Sequence, residues 1–374
     1  MAPRIIIQEH PPTTTAAEGE VSAAADANRS LQDRLRQHIP HSLALLRRLQ
    51  FAGKFAGTSP ATARVLQAYY SSTSPEDSSS EGPFAAAYVD LSRGPETECW
   101  LYSSLEDSCA SAAHTTDDER TRLTTSCAAA DGDAAAAMDL VVALLRRVRR
   151  LEAEQWDQGL LASRGGGSGA RGHSRGGVVV GALNEAVRAR LGERGVLMGS
   201  TIAVPRGMDW DWCAKWLFRL DALPGGDGDL LASVGGGAGG EMEKMRWDTA
   251  RREDLDVILS RTIIPYSPAT LLTLPNTVVR LDDGTPIAWA FLGLDGTTKT
   301  LHVEEPYRRR GLAKAVAVNL MRAHLQDYGD DGWGGADVSV ANLKSQAVCK
   351  SIGGTLGWVL SWVFIDLSSV GDPL

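Results

Sequence analysis

The sequence predicts an α/β (α+β) protein in two halves, and three observations carry that reading. From residue 241 onward, short β-branched and aromatic runs alternate with helical periodicities. Earlier, 84–92 and 98–104 are two short apolar runs separated by Arg-Gly-Pro-Glu, a hairpin signal. The 374 residues include 39 glycines, against a usual ~7%, and many of them gather in stretches that interrupt the patterned segments.

Residues 1–30, rich in Thr, Ala, Glu and Pro from residue 10, read as a disordered arm. Leu31, Leu35, Ile39, Leu43, Leu46 and Leu49 keep helical spacing across Pro40, which predicts two helices or a kinked one. Residues 60–70 read as a further helix. Residues 71–82 are a Ser/Pro/Glu/Asp surface loop, and 107–133 a weakly ordered insertion. The longest helical stretch is 134–155, with Leu140, Val141, Leu144, Leu145, Val148 and Leu151 on one face. Glycine-rich linkers follow at 164–177 and 224–240, and the domain boundary falls there. The amino-terminal α/β domain is therefore 31–240, with loop insertions at about 71–82, 107–133, 164–177 and 224–240.

In 241–374 the elements follow in order. Residues 245–249 form a strand, 252–260 an acid-first helix, and a second helix opens after Ser267-Pro268. Strands 277–281 and 286–292 flank an Asp-Asp-Gly-Thr turn. Strand 300–303, helix 311–328, strand 337–340, helix 344–352 and strand 358–367 complete the half.

Composition excludes several function classes. Lys and Arg number 38 against 46 Asp and Glu, a net charge of -8, so the molecule repels polyanions and no nucleic-acid partner is expected. No apolar run approaches the ~18 residues of a membrane span, and the first residues lack a secretory apolar core, so a soluble protein without membrane partner is expected. Cys99, Cys109, Cys127, Cys213 and Cys349 are odd in number and form no Cys-x-x-Cys pair, which points to a reduced cytoplasm or nucleus and to no metal site. Three segments imitate sites. Residues 165–172 are glycine-rich but follow no strand and lack Gly-Lys-Ser/Thr; Trp212 and Trp216 suit the apolar face of a helix; 327–331 lacks the ligand spacing of a calcium loop.

The chemistry concentrates in Leu301-His-Val-Glu-Glu-Pro-Tyr-Arg-Arg-Arg-Gly-Leu-Ala-Lys. A strand ends at Val303, a turn follows, and a helix opens inside Arg308-Arg-Arg-Gly-Leu-Ala. Unpaired N–H groups and the positive dipole end of a helix, approached closely past Gly311 and Ala313, make a phosphate cradle. Three arginines before a helix also fit a solvated charge run or half of a nuclear-import patch.

These residues resemble the acetyl-coenzyme-A signature of the GNAT acyltransferase superfamily, Arg/Gln-x-x-Gly-x-Gly/Ala, with Arg308, Gly311 and Ala313 at its three positions. A second match follows the next strand: Asn342 and Ser345 resemble the family's Asn-x-x-Ala/Ser, and Ile352-Gly353 stands for its Leu-Gly. The resemblance spans about 243–370. Pro286-Ile-Ala-Trp-Ala and the late strand look most like the FR-type, glycine N-acyltransferase-like branch. The resemblance implies a mixed, mostly antiparallel GNAT sheet flanked by helices, and it permits a degenerate GNAT copy in the amino-terminal half, where no second Arg-x-x-Gly-x-Ala occurs.

It further implies an acyl-CoA-dependent N-acyltransferase, most simply with acetyl-CoA, passing its acyl group to a small-molecule amine or amino acid by direct attack. Val303 would bind the thioester and pantetheine. Arg308, Arg309, Arg310, Gly311, Leu312 and Ala313 would hold the pyrophosphate, with Asn342 and Ser345 completing the coenzyme site. His302, Glu304 and Glu305 are the titratable groups at the strand end, and any of the three fits a general base; alternation puts His302 and Glu304 on one face and Glu305 on the other. The family's helix tyrosine is replaced by Cys349, which fits either an acid for the leaving thiolate or a small buried hydrophobe. A catalytically silent acyl-CoA-binding module and a protein lysine acetyltransferase are the alternatives. Oligomeric state has no sequence signal.

Overall fold

The computed structural model describes residues 4–12, 23–55, 61–71, 82–93, 96–115, 121–127, 131–161, 175–201, 212–225, 230–231, 234, 244–264 and 266–371. The chain divides into two compact units: Met1–Gly53 with Thr58–Cys213 and Trp358–Leu374, and Lys54–Gly57 with Ala214–Gly357.

Unit 1 runs β1 (Ile5–His10), α1 (Ala23–Arg36), α2 (Leu43–Lys54), β2 (Ala63–Tyr70), β3 (Phe84–Asp90) and β4 (Cys99–Ser103). A hairpin of β5 (Cys109–Thr115) and β6 (Thr121–Cys127) precedes α3 (Asp131–Asp157), β7 (Gly177–Asn184), α4 (Glu185–Glu193) and β8 (Met198–Ser200). Strands β1 to β4 are antiparallel neighbours, and β4 meets β7 in parallel across the α3 crossover. Leu140, Val141, Leu144, Leu145, Val148 and Leu151 of α3 are buried in the core, as their spacing predicts.

Unit 2 starts with β9 (Cys213–Arg219), which from Ala214 on belongs to it. Then come β10 (Met245–Asp248), α5 (Leu255–Ser260), α6 (Pro268–Thr273), β11 (Asn276–Leu281), β12 (Pro286–Leu292) and β13 (Thr297–Val303). They are followed by α7 (Leu312–His324), β14 (Trp333–Ser339), α8 (Leu343–Ser351) and β15 (Thr355–Asp366). The sheet order is β9-β14-β13-β12-β11-β10, antiparallel from β10 to β13, with β13 and β14 parallel across the α7 crossover.

Each half of the chain therefore repeats one order, a strand, two helices, three strands, a helix, a strand, a helix and a closing strand (β9 and β15), to which the first half adds the β5–β6 hairpin and β8. The two halves form a tandem repeat, and the closing strands are exchanged. From Trp358 on, β15 belongs to unit 1 and pairs antiparallel with β7 and β8, whereas β9 sits beside β14 in unit 2. The compact units accordingly do not follow the sequence boundary at 240.

Four local readings are corrected. The arm 1–30 contains β1 and the start of α1, because Ile5 and Ile7 pack on the unit 1 core while β1 pairs with β2. Residues 60–70 hold the strand β2; Ala63, Val65, Leu66 and Ala68 are buried between β1 and β3, so sheet pairing overrides local helical pattern. The insertion 107–133 contains the β5–β6 hairpin, whose Cys109 is disulfide-bonded and faces Cys127 in the register, at odds with the reduced cysteines expected. Trp216 lies buried on the strand β9, not on a helix. The linkers expected at 71–82, 164–177 and 224–240 fall largely outside the described residues.

Candidate acyl-transfer site

Parallel pairing of β13 with β14 runs through Thr297↔Gly335 and Thr298↔Ala336, leaving 299–303 beyond it. In the same stretch β13 carries one extra residue against β12: Phe291 pairs with Lys299 and Trp289 with His302, with Thr300 at a φ of 50°. A bulge of this kind bends the strand and re-aims the side chains past it. The Glu304 N–H donates to Ile287 O at 2.8 Å, toward β12. Alternation then turns the Val303 N–H and C=O to the opposite edge, the β14 side. The Val303 carbonyl accepts from Arg308 Nε there at 2.9 Å.

The turn 304–311 is built to open α7 without a plug. A 3₁₀ turn covers Glu305–Tyr307, Arg309 takes a φ of 63°, and Gly311 caps α7 at a φ of 93° with no side-chain hydrogen bond. A Cβ on Gly311 would meet nothing within 4 Å, so the approach to the Leu312, Ala313 and Lys314 N–H groups is open. Two of the three arginines shape the loop: Arg308 ties it to Val303, and Arg310 donates to Pro306 O at 3.0 Å while lying over the Tyr307 ring. Arg309 is exposed and makes no hydrogen bond or ion pair among the described residues.

His302 and Glu304 do share a face, with Nε2 and Oε1 3.7 Å apart. Arg261, just past α5, holds the same Glu304 Oε1 at 3.0 Å. The His302 ring stacks on the buried Trp289, and its Nε2 is buried without a hydrogen-bond partner. Burial lowers the His302 pKa, Glu304 opposes it, and Arg308 and Arg261 add to the lowering, so the neutral form of the ring is favoured. Glu305 is exposed on the turn.

Asn342 is the N-cap of α8, its Oδ1 accepting from the Ser345 N–H at 3.1 Å, so these two residues satisfy each other. Cys349 is buried, and burial pushes its thiol up to about 12, with Asp337 adding to the rise. Of the two readings of Cys349, this geometry matches the small buried hydrophobe.

Two features escaped the sequence. Gln346 donates from Nε2 to Ser339 O and Val340 O at 3.2 and 2.9 Å, fastening α8 to the end of β14. Beneath the site, the buried Lys215 of β9 pairs with Asp337 of β14, and Lys299 of β13 with the buried Asp295 of the β12–β13 turn at 3.2 Å. Burial would lower the Lys299 pKa, but Asp295, Tyr266 and Asp337 outweigh it and raise it. A Cβ on Gly293 would fall 2.5 Å from Lys299 Cε, so glycine leaves the room this pair occupies. Within the sequence these residues show no periodicity or motif.

The sequence profile of the acyl-CoA N-acyltransferase verG N-terminal domain matches residues 18–210, more than half of the chain. No curated protein matches. Among solved structures, the chain is similar to a Drosophila protein determined as a structural-genomics target, at 14% identity and a TM-score of 0.51, covering 91% of this chain and 96% of that one. It is also similar to a GCN5-related N-acetyltransferase from Sphaerobacter thermophilus, at 12% identity and TM-score 0.47 over 97% and 96% of the two chains. A tandem GNAT protein from the clavulanic acid biosynthesis pathway aligns at 10% identity and TM-score 0.44 over 99% and 100%. No described helix is long and apolar enough to cross a membrane, and no group of described His, Cys, Asp and Glu residues could hold a metal ion. The chain belongs to the verG acyl-CoA N-acyltransferase family.

Proposed function

We propose that unit 2 carries out N-acyl transfer from acetyl-CoA to the amine of a small molecule. The observation that carries this reading is the Val303 N–H, turned to the open side of β13 beside the unplugged N-terminus of α7. The open Gly311 face and the free Arg309 fit a pyrophosphate, and the unpaired stretch of β13 fits an extended pantetheine arm. The bound coenzyme supplies an electrophilic thioester carbonyl and a thiolate leaving group.

Val303 N–H donates to the thioester oxygen and steadies the charge that grows there. The Leu312 and Ala313 N–H groups, with Arg309 at their edge, hold the pyrophosphate; Arg308 and Arg310 keep the loop in shape. Neutral His302 accepts the proton that the amine nitrogen loses as it bonds to the acyl carbon, and Glu304 steadies the resulting imidazolium. Cys349 stays protonated and packs in the core, so solvent supplies the proton to the leaving thiolate. The FR-type, glycine N-acyltransferase-like placement is consistent with Pro286-Ile-Ala-Trp-Ala on β12.

Release of coenzyme-A thiol, followed with a panel of primary amines and amino acids, tests the reading. Release that needs both acetyl-CoA and an amine supports it. Tight binding of acetyl-CoA with no release across the panel would leave the catalytically silent module in its place.

A further inference from the structure

Unit 1 holds a cluster of ionisable groups that the coenzyme site does not use. The connection between α1 and α2 brings two histidines over the end of β4. His38 Nδ1 lies 2.5 Å from Asp107 Oδ2, His41 Nδ1 3.4 Å from Asp107 Oδ1, and the Tyr102 hydroxyl donates to Asp107 Oδ2 at 2.9 Å. Asp107 stands in the 3₁₀ turn Ser104–Ser108, which a reciprocal cap between Ser103 and Glu106 fixes after β4. Burial pushes the Asp107 carboxyl up, but the hydrogen bonds from His38, His41 and Tyr102 outweigh it and hold it at about 2.

A carboxylate that takes Nδ1–H of an imidazole fixes its tautomer and leaves the lone pair on Nε2. Nε2 of neither histidine makes a hydrogen bond among the described residues. The side chains of His38 and His41 stay 24% and 22% exposed. Around them stand Phe84 and Tyr102, 5.0 and 5.8 Å from the His38 ring, and Trp358, 4.6 Å from the His41 ring. The nearest other charges are Arg34, lying over Phe84 and bonded to Gly82 O, and the buried Glu106, which accepts from the Ser103 N–H.

The cluster's place in the fold is informative. β4 pairs with β7 only through Cys99↔Val180 and Trp100↔Gly181, so Leu101 to Ser103 run past the pairing as 299–303 do on β13. Within unit 1, His38, His41, Tyr102 and Asp107 stand where Arg261, His302 and Glu304 stand within unit 2: under the helix connection, at the end of the fourth strand of the repeat. The coenzyme cradle, however, has no counterpart. No Arg-x-x-Gly-x-Ala precedes α3, and the first turn of α3 carries the exposed Asp133, whose charge repels a pyrophosphate.

We propose that unit 1 carries a second reactive centre, in which His38 Nε2 acts as general base on water attacking a small acyl ester without a nucleotide, with Asp107 orienting the ring. The water oxygen bonds to the carbonyl carbon as its proton passes to Nε2. The carbonyl carbon then loses its bond to the alcohol oxygen, and the Nε2 proton goes to that departing oxygen. The products are a carboxylic acid and an alcohol, and nothing is oxidised or reduced. Asp107 remains ionised and stabilises the imidazolium between the two proton transfers.

Hydrolysis of p-nitrophenyl acetate by the full chain, with neither acyl-CoA nor an amine present, tests this independently of the transferase. The wild type is expected to exceed His38→Gln by at least ~10-fold. Asp107→Asn should lose a similar factor, and free imidazole should restore activity to His38→Gly, a response that a purely structural histidine would not give. If His38→Gln does not fold, Asp107→Asn with a native melting curve decides. Equal rates in wild type and folded variant, failure of imidazole rescue, or loss of activity with a chelator would overturn the proposal.

Discussion

The imidazole of His302 lies against the indole of Trp289, ring centroids 4.8 Å apart and planes 22° from parallel. The two residues are cross-strand partners on β12 and β13, and Trp289 is fully buried. The stack keeps water off one face of the ring and so adds to the burial that, first among its causes, lowers the His302 pKa.

That lowering sets a pH profile. The folded pKa lies below the ordinary 6.5, so the proton-accepting ring persists below pH 6.5 and is lost only as pH falls through the lowered value. The acid limb of kcat/KM for N-acyl transfer should therefore fall below pH 6.5. His302→Gln should abolish that limb and slow transfer by about 10²–10⁴-fold. If Glu304→Gln removes the limb and His302→Gln keeps it, the base is Glu304.

Arg261 offers a separate handle on the same ring. It lowers the His302 pKa directly and also engages Glu304, the group that raises it. Arg261→Ala should raise the His302 pKa in an NMR titration and move the acid limb upward. The ion pair is partly solvated, so unfolding free energy should change by less than about 1 kcal/mol.

Arg280 anchors the start of unit 2. Its buried guanidinium bonds to both oxygens of Asp254, to Asp248, and to the carbonyls of Thr249 and Gly284. Arg280→Met leaves the buried Asp254 without its cation and should cost about 3–5 kcal/mol in urea unfolding. Burial opposes and Arg280 outweighs it in lowering the Asp254 pKa, so the wild type should lose stability as pH falls through the acid range and the variant less steeply.

Gly311 sits at a φ of 93° in open space. Gly311→Ala adds only the left-handed backbone strain, about 1–2 kcal/mol in thermal or urea unfolding. Its methyl group stands at the mouth of the cradle, so KM for acetyl-CoA should rise more than kcat falls.

Much of unit 2 was legible because its signals are local. The turn at Asp283-Gly284, the N-cap at Ser267, and the strand-turn-helix around Val303 and Gly311 each lie within a few residues of sequence. The features that escaped were non-local. β2 reads as a helix until β1 and β3 flank it, and Trp216 reads as helical until β9 lies beside β14. Lys215 and Asp337 join strands far apart in the chain, and neither Lys215 nor Lys299 differs in sequence from a solvated lysine. His38 and His41 gain meaning only when Asp107, more than sixty residues later, closes on them.

Calorimetric titration of acetyl-CoA into the wild type and into Ala313→Glu tests the central claim most directly. A carboxylate in the first turn of α7 favours the helix dipole, so the variant should keep or slightly raise its melting temperature. It also places negative charge where the pyrophosphate would sit. Binding by the wild type and at least ~100-fold weaker binding by the variant are predicted; no binding by the wild type, or equal binding by both proteins, would contradict coenzyme binding at the α7 cradle.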